Sequence, residues 1–162
     1  MLRLRGVVRA LGAIALGSCG DDEPTTDAGA CWPLSATPGG QVELGTGDRN
    51  FEPMPAVVTI IRDGSQGDPF LQIHGRIRGM PPGNPEGDFF DPRNPKTKVR
   101  VVIDDVGLVL GVDCPASIPY VATADPDAFE MLHSLRLGFG LFPIYRVSGK
   151  QARITIEVVG SN

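Results

Sequence analysis

Three runs in this chain alternate apolar and polar residues with a period of two, and that pattern limits the fold more than any other feature. Over residues 70–78, Leu71, Ile73, Gly75 and Ile77 fall on one side and Gln72, His74, Arg76 and Arg78 on the other. Over 98–104, Val99, Val101 and Ile103 oppose Lys98, Arg100 and Asp104. Over 151–159, Ala152, Ile154, Ile156 and Val158 oppose Arg153, Thr155 and Glu157. Successive side chains of a strand point to opposite faces, so each run reads as a half-buried strand. A helix would scatter the same apolar residues around its circumference.

Shorter β-prone runs lie at 41–45, 56–62, 106–112, 118–121 and 129–139, separated by Gly, Pro, Asp and Asn. The 21 Gly and 15 Pro suit many short strands joined by tight turns and suit helices poorly. The turn-rich segment 63–69 predicts a hairpin between the runs on either side of it. Pro119 lacks a backbone donor and confines its run to a sheet edge. Asp125 before Pro126 can start a helix, while Leu135, Leu137 and Phe139 alternate again, so a short helical turn followed by a strand is expected there. The count comes to about seven or eight strands, which predicts an all-β, immunoglobulin-like antiparallel sandwich over residues 41–162.

The N-terminus follows different rules. Arg3 and Arg5 precede an apolar run at 10–16, and no acidic residue occurs before Asp21. That is the layout of a signal peptide, assigned to residues 1–18. Leu16-Gly17-Ser18-Cys19 resembles the bacterial lipobox, which makes Cys19 the expected site of acylation, palmitate included, and the mature N-terminus. The alternative is ordinary secretory cleavage nearby, after Ala15. Residues 19–40 comprise the acylated Cys and an acidic, Pro- and Thr-containing stretch expected to act as a flexible, disordered tether. Ala28-Gly-Ala-Cys31 imitates a cleavage site, but Asp21, Asp22, Glu23 and Asp27 separate it from the apolar run. The expected location is the cell envelope, lipid-anchored to a membrane and facing the periplasm or the cell surface.

With Cys19 acylated, Cys31 and Cys114 remain in an oxidising compartment and are expected to form a disulfide. A bridge closing so long a loop contributes about 4–5 kcal/mol in the chain-entropy picture. Neither cysteine has the paired spacing of a zinc or redox motif, and no metal site is expected.

The chain carries a net charge of −4, which hides a more acidic mature protein. Without Arg3, Arg5 and Arg9, twelve basic residues face 19 acidic ones, a balance of −7. Nucleic acid is therefore not an expected partner, since its binding rests on neutralising phosphates. No nucleophile elbow, phosphate-binding loop or zinc-protease motif occurs, so neither an enzyme activity nor a cofactor is expected. Residues 63–68 and Asp104-Asp105 lack calcium-loop spacing and read as turn formers and solvated edges. His74 shares a polar face with Gln72 and Arg76 and is expected in solvent. His133 lies between Met131 and Leu135 and is expected as a hydrogen-bonded core residue.

Two candidate contact surfaces follow. Arg76, Arg78, Lys98 and Arg100 form one basic patch if their strands pair, suited to glycans or other anionic ligands, against the plainer reading of a solvated face balanced by carboxylates. Phe89 and Phe90 sit in a segment, 79–97, that contains Pro81, Pro82, Pro85, Pro92 and Pro95. A proline-stiffened loop can present two aromatics to a partner, although packing the rings beneath the loop is the commoner arrangement.

Val42-Glu-Leu-Gly-Thr-Gly-Asp-Arg-Asn-Phe-Glu-Pro-Met54, the Ser65-Gln-Gly67 turn and the strand containing His74 resemble a recurrent opening in uncharacterised lipoproteins of myxobacteria. Gly149-Lys-Gln-Ala-Arg-Ile-Thr-Ile-Glu-Val158 resembles the last strand of many immunoglobulin-like domains. The resemblance implies a fold and a location and no activity. The expectation is a non-catalytic, membrane-anchored structural or interaction module with an unknown protein or glycan partner. The alternative is a glycan- or anion-binding domain that uses the basic sheet face.

Overall fold

The computed structural model describes residues 2–4 as backbone, then 40–63, 67–84, 86, 88, 89, 91–111 and 114–160. Its strands are β1 (Leu2–Leu4), β2 (Gln41–Thr46), β3 (Glu52–Pro53), β4 (Val57–Val58), β5 (Ile61–Arg62), β6 (Pro69–Arg78) and β7 (Lys96–Ile103). There follow β8 (Leu108–Gly111), β9 (Ala116–Ser117), β10 (Tyr120–Ala122), β11 (Ala128–Met131), β12 (Leu135–Gly138) and β13 (Gln151–Val159). One six-stranded sheet has the order β4-β1-β13-β7-β8, with β9 also on β7. The other, seven-stranded, has the order β10-β11-β6-β2-β3, with β12 and β5 also on β6. All described pairings are antiparallel except β1 with β13.

The three alternating runs become β6, β7 and β13, and they carry the core. Leu71, Ile73 and Ile77 of β6 face Val99, Val101 and Ile103 of β7 and Ala152, Ile154 and Ile156 of β13, all buried. Within the six-stranded sheet, Val101 lies opposite Ile154 and Val99 opposite Ile156, so cross-strand pairs of branched side chains knit the inner face. Gly75 interrupts the apolar row of β6 for a steric reason. A Cβ there would stand 2.8 Å from Ile156 Cδ1 and 2.9 Å from Met131 Cε, so the small residue is what lets the second sheet close over it.

The weaker runs divide. Residues 56–62 hold two short strands, β4 in one sheet and β5 in the other, so the chain changes sheets there; β5 pairs with β6 as the expected hairpin. The expected strand at 106–112 starts late, because Asp104–Val106 form a 3-10 turn ended by Gly107 at φ 62°. The run 129–139 splits into β11 and β12, which pair with opposite ends of β6. The expected helical turn after Asp125 is absent, and no α-helix occurs among the described residues. Instead the Thr123 hydroxyl accepts from the Asp125 amide and the Asp125 carbonyl accepts from the Ala128 amide, closing a turn that delivers Ala128 to its place opposite Arg78. Pairing with β6 thus overrides the local helix signal. The strand after Pro119, β10, does lie at the edge of its sheet.

Tyr120 is fully buried, and its hydroxyl lies 3.0 Å from the Thr97 hydroxyl, one hydrogen bond joining the edge of one sheet to the start of β7 in the other. Burial pushes the phenol pKa up, so the ring stays neutral and able to share that bond. Tyr120→Phe should lose about 1–2 kcal/mol in denaturant melts, because the buried Thr97 hydroxyl is left without its partner. The double variant Tyr120→Phe, Thr97→Val should recover most of the loss, and strictly additive losses would show that the bond carries no coupling.

Candidate functional site

The polar face of β6 is covered. Residues 47–51 fold over it, and the Gln72 amide donates to Asp48 Oδ1 and to Ser134 Oγ, each at 2.9 Å. His74 is wholly buried, with Nδ1 3.3 Å from the Gly47 carbonyl and its ring edge-on to Phe51. Arg76 stacks its guanidinium 4.2 Å above the Phe51 ring, while the Phe51 amide donates to Glu130 at 3.0 Å. The two histidines therefore exchange the roles expected of them: His74 is interior, and His133 is exposed. Alternation predicted correctly that β6 has two faces, but a covering loop, not solvent, meets the polar one.

The expected four-residue basic patch is divided. Arg76 and Arg78 belong to β6, while Lys98 and Arg100 belong to β7 in the other sheet, so the pairs lie on opposite outer faces of the sandwich. On β6 the charges are neutralised locally. Arg76 lies 3.7 Å from both Glu43 and Glu130, and Arg78 lies 2.9 Å from Glu43 and 2.5 Å from Asp125. The Arg78 hydrogen bond in turn holds the Asp125 carboxyl below its ordinary value. On β7, Lys98 and Arg100 form no salt bridge with another described residue. With Thr155 and Glu157 of β13 they line a shallow depression of about 150 Å³. The register sets these neighbours, placing Arg100 opposite Thr155 and Lys98 opposite Glu157.

The long connection between β6 and β7 is braced from within. One end docks on β10 at the edge of the seven-stranded sheet, where the Pro82 carbonyl accepts from the Tyr120 amide at 3.2 Å, and the other meets the link between β9 and β10, where the Pro95 carbonyl accepts from the Ile118 amide at 3.0 Å. Inside, Asn94 is fully buried; its Oδ1 accepts from the Asn84 amide at 3.0 Å and its Nδ2 donates to the Asp88 carbonyl at 2.6 Å. The Asn84 side chain donates to Asp91 Oδ2 at 3.0 Å and accepts from the Glu86 amide at 2.9 Å. Gly83 is needed at φ 88°, since a Cβ would meet Asn94 Oδ1 and Cα at 2.7 Å. Asp91 also accepts from the Arg93 side chain and amide, and that pairing holds its carboxyl down at about 2.

On this scaffold Phe89 stays 41 % exposed, outside the main core, and its ring stacks on His133 at 5.9 Å and 9°. Phe90 lies outside the described residues, as do Cys19 and Cys31. Cys114 is exposed, beyond β8. Asp63, Asp104 and Asp105, set aside as calcium ligands, pair with Arg136, Arg153 and Lys150. Among the described residues no group of three or more His, Cys, Asp and Glu is placed to hold a metal ion, and no helix is long and apolar enough to cross a membrane.

The bracing residues Asn84, Asp91 and Asn94 were missed by sequence reasoning, although a signal exists. Each directly precedes a proline, in Asn84-Pro85, Asp91-Pro92 and Asn94-Pro95, and Asx-Pro pairs initiate turns. Replacing Asn94 by Leu should lower stability by about 2 kcal/mol, because the Asn84 amide and the Asp88 carbonyl lose their buried partner. The Asp91 brace should be intact above the ordinary carboxylate value of 3.8 and loosen as pH falls toward about 2, read as faster exchange of the Glu86 and Arg93 amides. Loosening that sets in well above pH 4 would show that another group controls the loop.

Compared with known proteins, the chain matches no family model, no curated protein and no solved structure.

Proposed function

We propose that this protein is a non-catalytic interaction module of the bacterial cell envelope, held to a membrane by lipid on Cys19 and recognising its partner through the braced 79–95 loop. The observation that carries the reading is Phe89, a large aromatic left 41 % exposed on a segment braced by hydrogen bonds of the buried Asn84 and Asn94. A loop already fixed in shape loses little entropy on binding, and an aromatic ring offers much contact area. The export layout of residues 1–18 and the lipobox-like Leu16-Gly17-Ser18-Cys19 supply the anchor. A Cys31–Cys114 disulfide belongs to the same reading, and it is supported by Cys114 carrying no free thiol.

Substituting Phe89→Ser together with Phe90→Ser should reduce capture of a partner from envelope extract while the melting temperature shifts by no more than a few degrees. A large drop in melting temperature would make the rings core residues and end the recognition reading. Intact mass of the envelope protein should give an acylated chain beginning at Cys19, and Cys19→Ala should leave the leader in place. Nonreducing peptide mapping should link Cys31 to Cys114; two free thiols would refute the bridge.

A second reading rests on Lys98 and Arg100, whose depression with Thr155 and Glu157 suits a small anionic group such as a sulfated or carboxylated sugar. Lys98→Glu with Arg100→Glu should abolish binding on an acidic-glycan array if this reading holds, while leaving capture through Phe89 intact.

A further inference from the structure

The link between β12 and β13 forms an apolar tip at one end of the sandwich. Its feet are fixed: Phe139 and Val147 are buried, and the Phe139 amide donates to the Pro69 carbonyl at 2.9 Å. Between them the Phe142 amide donates to the Phe139 carbonyl at 3.0 Å, closing a tight turn whose positive φ, 54°, falls on Gly140. A 3-10 turn over Ile144–Arg146 follows. Leu141 therefore stands at the apex of the turn, fully exposed at 104 %, and Tyr145 beside the next turn is 78 % exposed. They are the two most exposed large apolar side chains among the described residues. The backbone needs neither of them. Gly140 supplies the turn geometry, and turn apices favour Gly, Asn, Asp and Ser, so the fold gives no reason for a leucine there.

We propose that this tip inserts into the surface of a lipid bilayer, with Leu141 among the acyl chains, Tyr145 at the level of the headgroups and Arg146 on a lipid phosphate. The inference rests on the membrane-anchored reading, because so small a tip stays bound only at a surface where the chain is already held. Area chooses lipid over protein. Leu141 and Tyr145 together expose on the order of 400 Å², half of the roughly 800 Å² per partner that a stable protein interface takes, whereas a bilayer accepts a single protruding side chain. The residue types agree. An apical leucine above a tyrosine and an arginine follows the depth order of a membrane interface. Arg146 lies 5.5 Å over the Phe142 ring and pairs with no described carboxylate, which leaves its donors for a phosphate.

Charge agrees as well. The chain as a whole is acidic, yet no acidic residue occurs from 139 to 156. Asp63, Asp104 and Asp105, which stand at the same end, pair with Arg136, Arg153 and Lys150, and the exposed Asp68 stands near the exposed Arg62. This end therefore meets a phosphate surface without the repulsion that the rest of the chain would bring. The contact also sets how the protein sits. Pro69 begins β6 at the tip end, and Arg78, from which the 79–95 loop springs, ends it about 30 Å away. Lipid at Leu141 directs the Pro69 end of β6 to the bilayer and the origin of the loop away from it.

The experiment uses the full chain, purified from the envelope and reconstituted into vesicles of phosphatidylethanolamine and phosphatidylglycerol. Intact mass first establishes its acyl chains. Trp32, the only tryptophan, is replaced by Phe, and a new one is placed by Leu141→Trp or, in a second protein, by Phe89→Trp. Thermal melting establishes that each is folded; if Trp32→Phe unfolds the chain, the two substitutions are read as differences from the protein that keeps Trp32. Brominated acyl chains quench tryptophan on contact, so emission from position 141 should fall by about half or more in vesicles made with them, while emission from position 89 stays nearly constant. Adding Arg146→Glu should weaken the quenching at 141. An acylated chain unquenched at 141 overturns the tip while leaving the anchored reading intact. Quenching at 89 instead of 141 puts the other loop on the membrane and overturns the proposal. Emission from 141 that shifts with protein concentration in detergent places a second copy on the tip and overturns the lipid assignment. A chain without acyl groups overturns the anchored reading, and the contact with it.

Discussion

Two sheets can share a core only if their backbones come close enough for the side chains between them to touch, and at Gly75 there is no room for even a Cβ. Ile156 and Met131 close over the space that a side chain would take, and around that contact the rows from β6, β7 and β13 interlock. Interiors pack to the density of organic crystals, so widening this seam would forfeit contacts along all three strands. Every surface the protein presents is set relative to it. The loop 79–95 springs from one end of β6 and returns to the start of β7, so its path is the bridge between the two packed sheets.

The second consequence is that β6 is enclosed on both sides. Its inner face is apolar, and its outer face is a polar interior in which Gln72, His74 and Arg76 engage Asp48, Gly47, Phe51 and Glu130. The pairing is incomplete, because His74 Nε2 and Arg76 Nε are buried with no hydrogen-bond partner among the described residues, and a buried polar atom without a partner carries a desolvation cost. The covering segment supplies partners from its backbone and from one carboxylate. Arg76 and Arg78, which would read as a binding surface in an open sheet, are spent internally, and the other two cations of the expected patch, Lys98 and Arg100, stand on the opposite face.

The candidate loop combines a rigid frame with an exposed ring. Asn94 and Asn84 face inward and satisfy the backbone at several points, which fixes a segment too rich in proline to join either sheet. Phe89 and His133 stack at its surface, one from the loop and one from the link between β11 and β12. Recognition built on such a feature needs little rearrangement, and the sandwich beneath it serves as a mount.

The alternating runs by themselves determined the three core strands and which of their residues point inward, because strand period is a local property of the backbone and burial follows from it. Proline content likewise marked the connection between β6 and β7 as irregular. Only tertiary structure decided which strands share a sheet, and with it the division of Arg76 and Arg78 from Lys98 and Arg100. Only tertiary structure put His74 inside and His133 outside, since a strand's polar face reveals nothing about a loop that folds back from 24 or more residues away to cover it. Period is written residue by residue, whereas partners across a sandwich depend on how distant segments pack, and packing is a property of the whole chain.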